Sequence, residues 1–171
     1  MKGGCEPCRS YTCLCRFYGM GVYMLIKTKD FDYVEVSEKD ILSFPNGIYA
    51  YENTKEFVLL KNPDNQCLMH LQAVSDDAPR LFLVDPYMFF EEYKPLLPEG
   101  TTDLLKAEKA NNLSYFVVAV IPENIKNMTV NLRSPVIINF EKRIGAQIIL
   151  ENKGYDVRTR LFPPINDKEA G

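Results

Sequence analysis

Pro135-Val136-Ile137-Ile138-Asn139-Phe140, then Glu141-Lys142-Arg143-Ile144-Gly145, then Ala146-Gln147-Ile148-Ile149-Leu150 is the stretch that decides the fold. Two short apolar runs rich in β-branched residues flank a segment that is charged and ends on glycine. That is the pattern of two antiparallel strands, Val136 to Phe140 and Ala146 to Leu150, joined by a turn over Glu141–Gly145. Each run has the length of a buried strand rather than of a helix.

The same grammar runs upstream. Met24–Thr28 reads as a first strand, and Tyr33-Val34-Glu35-Val36 alternates with the period of a half-buried strand. Ser37 with an acid three residues on predicts a single capped helical turn over Ser37–Asp40. Phe44-Pro45-Asn46-Gly47 is a turn, with Gly47 available for positive φ. Glu56–Lys61 and Cys67–Ala73 form a hairpin around Asn62-Pro63-Asp64-Asn65. Leu81–Val84 is a strand closed by Asp85-Pro86. Tyr87–Tyr93 reads as one or two helical turns, broken by Pro95 and Pro98. Thr101–Ala110 is the best helix, with Thr102 as its cap and Lys106 and Lys109 late, where they complement the helix dipole. Tyr115–Ile121 is a buried strand. Many short strands without a repeat or linker imply a single mostly β domain, a barrel or a sandwich, with a few short helices.

Three segments follow: residues 1–23, a disordered or non-native extension; 24–162, the folded domain; and 163–171, a flexible polar tail. Four of the five cysteines (Cys5, Cys8, Cys13, Cys15) lie in the first fifteen residues. Cys5 and Cys8 have thiolate-chelating spacing, but Cys13 and Cys15 are too close for a usual structural zinc site. Met20 and Met24 both read as initiators, and Gly21-Val22 can be encoded by codons containing GGAG, a ribosome-binding sequence ahead of Met24. Phe17–Ile26 imitates a signal peptide but has no small-x-small cleavage site and runs into Lys27, Lys29 and Asp30. A cytoplasmic protein without cofactor or metal is expected, with Cys67 a free thiol.

The 171 residues carry 20 basic and 23 acidic side chains, a net charge of −3. Lys2, Arg9, Arg16 and Glu6 precede Met24, which leaves 17 basic against 22 acidic residues from there on. An acidic body repels phosphate backbones and attracts basic proteins, so nucleic acid is a poor direct partner. No run approaches the roughly 20 apolar residues that span a bilayer.

Catalytic motifs are missing. The single histidine, His70, lies in a strand three residues from Cys67, on the opposite face by strand parity, and reads as structural or surface. No GxGxxG, P-loop, HExxH or GxSxG occurs. Acid–base work by two carboxylates needs no histidine, which keeps a small β-barrel hydrolase as the alternative, with Asp85 and a loop acid (Asp76-Asp77, Glu91-Glu92) as its residues. Such neighbouring charges more often form a solvated face. Lys142-Arg143 is too small a basic spot for a nucleic-acid track.

Four segments resemble the family of the flagellar assembly factor FliW: Met24–Thr28; Ile41–Ile48 with its Phe-Pro-x-Gly turn; Leu83–Tyr93 with its Val-Asp-Pro aromatic run; and Met128–Phe140, continuing through Gln147–Leu150, Tyr155 and Arg158. The resemblance covers Met24 to Phe162. After Gly47 that family usually has Leu-Pro-Gly-Phe, where this chain has Ile48-Tyr49-Ala50-Tyr51, so a turn of different geometry is expected there. The resemblance implies a compact antiparallel β-barrel-like cytosolic monomer with two exclusive partners. One is flagellin, through its terminal helical region. The other is the RNA-binding translational regulator CsrA, bound away from its RNA surface so that its RNA affinity falls. The polar signature residues Asn131, Arg133 and Asn139, read as exposed, and the aromatic residues Tyr87 and Phe90 are the expected partner contacts, although both asparagines also suit turn backbone.

Overall fold

A computed structural model describes residues 16–18, 21–27, 33–62, 64–75 and 79–162. The N-terminal cysteines and the tail lie outside these residues.

Seven strands close into a barrel: β4 (Ile41–Ser43), β5 (Glu56–Lys61), β6 (Leu68–Ala73), β7 (Arg80–Val84), β8 (Ser114–Val120), β10 (Val136–Asn139) and β11 (Ile144–Gln147). β4 to β8 form an antiparallel meander, broken between β7 and β8 by a long connection. β8 then pairs with β10, β10 with β11, and β11 closes on β4. That closing seam is parallel and holds a single register pair, Ile144 opposite Ser43. β8 leaves β10 at Phe116 and takes up β9 (Thr129–Val130), which carries β12 (Thr159–Arg160). On the outside lies a smaller sheet of β1 (Arg16–Tyr18), β2 (Gly21–Lys27) and β3 (Tyr33–Ser37). Its pairing extends upstream of Met24, with Gly21 opposite Tyr18.

Strand parity sorts the core. Phe57, Leu71, Leu83, Val136 and Ile138 point inward with Leu42 and Phe44 and fill the barrel. Val58 points outward and is covered by Ile26 and Val36 of the outer sheet. Ile137 also points outward, under Leu105 and Leu113. A strand covered on both faces reads as a continuous apolar run, which is why Val136-Ile137-Ile138 shows no alternation. A further cluster of Val84, Val117, Val130, Leu132 and Tyr93 lies beneath the aromatic segment.

Ser37–Asp40 forms the expected turn. Ser37 Oγ accepts from Lys39 N–H at 3.3 Å and Asp40 Oδ2 from Ser37 N–H at 3.2 Å. Gly47 has φ +70°, and a Cβ there would stand 2.6 Å from Tyr51 O, so glycine is required twice over.

Two elements differ from expectation. The return strand of the last hairpin starts at Ile144, not Ala146, because Arg143 at φ 52° completes the turn early. Gly145 then belongs to the strand, where the Phe44 ring crosses it: a Cβ at 145 would stand 2.4 Å from Phe44 Cζ. The best helix shrinks to α1, Thr101–Leu104, with Gly100 rather than Thr102 at its N-cap. Lys106 turns left-handed at φ 51°, and Leu105 is fully buried where the helix ends. The aromatic segment makes one 3₁₀ turn, Pro86–Met88.

Candidate protein-binding surface

The Val-Asp-Pro segment is built from its own residues. Asp85 Oδ1 accepts from Tyr87 N–H at 2.9 Å, and Pro86, buried, opens the turn where a missing N–H costs nothing. Pro86 O accepts from Phe89 N–H and Phe90 N–H at 3.1 and 2.8 Å. Tyr93 ends the segment buried, with its hydroxyl donating to Leu132 O at 3.0 Å. Its ring lies 4.9 Å from Tyr155 and 5.8 Å from Tyr87, and Tyr87 lies 6.2 Å from Tyr115. Burial pushes the Tyr93 phenol well above its ordinary range, helped by Tyr155, Tyr87 and Tyr115. Burial, then Tyr115 and Asp85, does the same to Tyr87. These hydroxyls are therefore neutral at physiological pH, able to donate.

Two of the five expected contacts, Tyr87 and Phe90, lie here. Phe90 lines a shallow groove of about 320 Å³ with Glu91, Tyr93, Leu132 and Tyr155. Tyr87 is 45% exposed beside it. Asn131 and Arg133 flank Leu132 in the chain. Arg133 is exposed, and its carbonyl accepts from Leu150 N–H at 2.9 Å. Asn131 is half-buried, and its Oδ1 accepts from Ser134 N–H at 3.0 Å, the turn-satisfying role weighed against a contact.

Asn139 is elsewhere and is not exposed. It has the outward parity of Ile137, so it lies under α1, 3% accessible. Its Nδ2 donates to Leu105 O at 2.9 Å and Lys106 O at 3.3 Å, and its Oδ1 accepts from Lys142 N–H at 3.2 Å. One amide thus closes the carbonyl end of α1 and the hairpin turn together.

A larger groove, about 540 Å³, follows the β4–β11 seam, and the sequence reading missed it. Its walls are the turn at Gly47–Tyr49, the Pro98–Thr101 segment with Leu104, and Gln147–Ile149. Gln147 Oε1 accepts from Tyr49 N–H at 3.2 Å, and its Nε2 donates to Ser134 O at 3.3 Å. Tyr51 N–H donates to Ile48 O at 2.7 Å across a tight turn in which Ala50 has φ 70°. The only sequence signal for this groove was the Phe-Pro-x-Gly motif, legible as a turn and silent about what faces it.

Two carboxylates of the hydrolase alternative are otherwise engaged. Asp85 caps its turn, and Glu92 pairs with Lys94 at 2.7 Å in solvent. Asp76 and Asp77 lie outside the described residues. His70 is buried in β6, with Nε2 3.0 Å from Asn62 Nδ2. Among the described residues no group of three His, Cys, Asp or Glu side chains could hold a metal ion, and no helix is long and apolar enough to cross a membrane.

Comparison with known proteins agrees with this geometry. The family model described as "FliW protein" matches residues 25–161. The chain is 39% identical over 140 residues to the flagellar assembly factor FliW of Moorella thermoacetica, covering 81% of this chain and 89% of that protein. It is 36% identical over 145 residues to the one of Caldicellulosiruptor bescii, covering 85% and 95%. A crystal structure of the flagellar assembly factor FliW superposes with a TM-score of 0.77 at 33% identity, covering 82% of this chain and 99% of that one. With the family model matched over residues 25–161 and the fold superposed on that crystal structure, the chain belongs to the FliW family.

Proposed function

We propose that this chain is a flagellar assembly factor that acts by holding other proteins and carries out no catalysis. Its partners are flagellin, taken through its terminal helical region, and, in exclusion of flagellin, the translational regulator CsrA. Bound to CsrA away from the RNA surface, it lowers CsrA's affinity for RNA. Accumulated flagellin then displaces CsrA by mass action and stops further flagellin synthesis. It works in the cytoplasm as a monomer. The single observation that carries this reading is the family match over residues 25–161. Its acidic balance from Met24 onward suits a basic, RNA-binding partner, and acids near that partner's RNA site repel phosphate. Tyr87, Phe90, Asn131 and Arg133 are the contacts proposed on the aromatic side; Tyr87→Ala or Arg133→Ala should weaken one of the two complexes without loss of fold. Asn139 has a structural role.

The experiment is co-elution of the purified protein with purified CsrA and with flagellin at micromolar concentration. Both pairs should co-elute, each partner should displace the other, and added salt should weaken the CsrA complex. Failure of both pairs to co-elute refutes the reading.

A further inference from the structure

Along β11 and its continuation to Glu151, main-chain N–H groups alternate between two edges. Those of Ile148 and Leu150 go to Pro135 O and Arg133 O, at 3.0 and 2.9 Å, on the β10 side. The odd-numbered residues face the other way. At one end of that second edge Arg143 O accepts from Ser43 N–H at 2.9 Å; at the other, Glu151 N–H donates to Leu96 O at 3.1 Å. Between them, among the described residues, Gln147 holds a non-hydrogen-bonded position of the β10 ladder and has no register partner on β4, and no main-chain group meets the Ile149 N–H.

The cause of the gap is Pro45. In the parallel register set by Ser43 and Ile144, residue 45 would donate the next ladder bond to Gly145 O, and proline has no N–H. Its carbonyl, the following acceptor, is taken by Lys55 Nζ at 2.8 Å. The chain turns away at Gly47, and the 540 Å³ groove opens along the bare edge. From Gly145 to Glu151 the edge runs roughly 20 Å, room for an extended segment of about five residues.

The groove also has a sign. Glu52 and Glu99 line it, and no lysine or arginine does. Apolar surface flanks the edge: Tyr49 and Ile149 are each 49% exposed, with Leu104 on the far wall. Open strand edges are normally blunted, and this one is left bare inside a groove. Unpaired N–H and C=O groups select another extended backbone, and the two carboxylates select basic side chains on it. A second copy of this chain would bring like charge to like charge.

We propose that the bare edge at Gln147–Ile149 is a docking site for an extended, lysine- or arginine-bearing segment of a partner protein, added as a strand to β11. This rests on the reading that the chain works by holding proteins, and it places one such contact on the seam rather than on the aromatic side.

Residue-resolved amide hydrogen exchange tests it. In the free protein the Gln147 and Ile149 amides should exchange fast, with Ile148 and Leu150 protected. Adding purified CsrA or flagellin should slow the first two by about tenfold or more. Ile149→Pro deletes one edge donor and should weaken that complex about tenfold. Ile149→Lys, which keeps the backbone, should weaken it through like charge, and Glu52→Gln with Glu99→Gln should flatten its salt dependence. Thermal midpoints within about a degree of wild type certify the fold of each variant. If either protein co-elutes but both amides exchange as before, the edge proposal is overturned and the functional reading stands. If neither co-elutes, the functional reading falls, and a short alternating Lys-Val peptide at about millimolar concentration decides the edge. Slowed exchange at Gln147 and Ile149 then supports the proposal, and unchanged exchange overturns it.

Discussion

Gly145→Ala should destabilise the protein, against the usual direction for a glycine in a strand. Alanine at an unstrained strand position ordinarily gains about 0.5–1 kcal/mol over glycine. Here the new methyl would stand 2.4 Å from Phe44 Cζ and 2.8 Å from each Cε, where carbon atoms prefer about 3.5–4.0 Å. The ring would have to retreat by about 1 Å. It cannot do so freely, since Phe44 is fully buried and its ring lies 5.0 Å from Phe57 in an edge contact. Overpacking of this kind costs about 1–3 kcal/mol, so the net loss at mid-range is about 1 kcal/mol. At about 2–4 °C per kcal/mol for a chain of this size, the melting midpoint should fall by roughly 2–4 °C. The decisive assay is a double-mutant cycle in urea with Phe44→Leu, whose shorter side chain leaves room for the methyl. In that background Gly145→Ala should be neutral or stabilising, a coupling of about 1–3 kcal/mol with unchanged m values. Equal cost in both backgrounds, or a Gly145→Ala protein as stable as wild type, refutes the close approach of Phe44.

Other changes carry equally definite signs. Ala50→Gly should stabilise the protein by about 0.5–1 kcal/mol, because Ala50 holds φ 70° where glycine is at ease; an unchanged or lower urea midpoint refutes that. Asn139→Ala strands the carbonyls of Leu105 and Lys106 and should cost about 1–3 kcal/mol, and Asn139→Asp, which turns a carboxylate toward them, more; equal midpoints for the two variants refute the assigned orientation. His70 should weaken the fold in acid. Asn62 Oδ1 accepts from Asp64 N–H and Asn65 N–H, so Asn62 Nδ2 donates to His70 Nε2, which must be unprotonated to accept. Burial holds the imidazole below its ordinary 6.5. The unfolded chain therefore binds the proton first, and stability falls as pH drops below about 6.5. His70→Gln should remove that part of the slope in urea midpoints between pH 5 and 7.5, and identical slopes refute it.

Wherever neighbours in the chain decide, the sequence was readable. Glu56–Lys61 forms its strand to the residue, and Ser37 with Asp40 makes its reciprocal cap. What could not be read depends on partners far along the chain. Thr101–Ala110 has helical composition, but the helix stops after Leu104. Leu105 is drawn into the core, and the Leu105 and Lys106 carbonyls are taken by an amide some thirty residues away. For the same reason Asn139 read as an exposed contact: polarity marked it for the surface, while the parity of Ile137, visible only once α1 covers that face, put it inside. Gly145 looked like turn punctuation and is a strand residue kept small for Phe44. On the aromatic side, Phe90 shares its groove with Leu132, a residue from a distant stretch that the segment alone does not reveal. The seam groove is a product of closure, with walls from three distant stretches, and no local pattern announces it.

The single pair that shuts the barrel, Ser43 with Ile144, joins residues about a hundred apart in the chain. At a synthesis rate of about 5–20 residues per second, β4 emerges from the ribosome roughly 5–20 s before its closing mate exists. During that interval one side of the nascent meander has nothing to zip against, and pairing across so long a loop is slow even after release. The seam is therefore a joint the chain must wait for, and slow synthesis or early truncation before Ile144 should leave an uncurled ribbon prone to stick to its own kind.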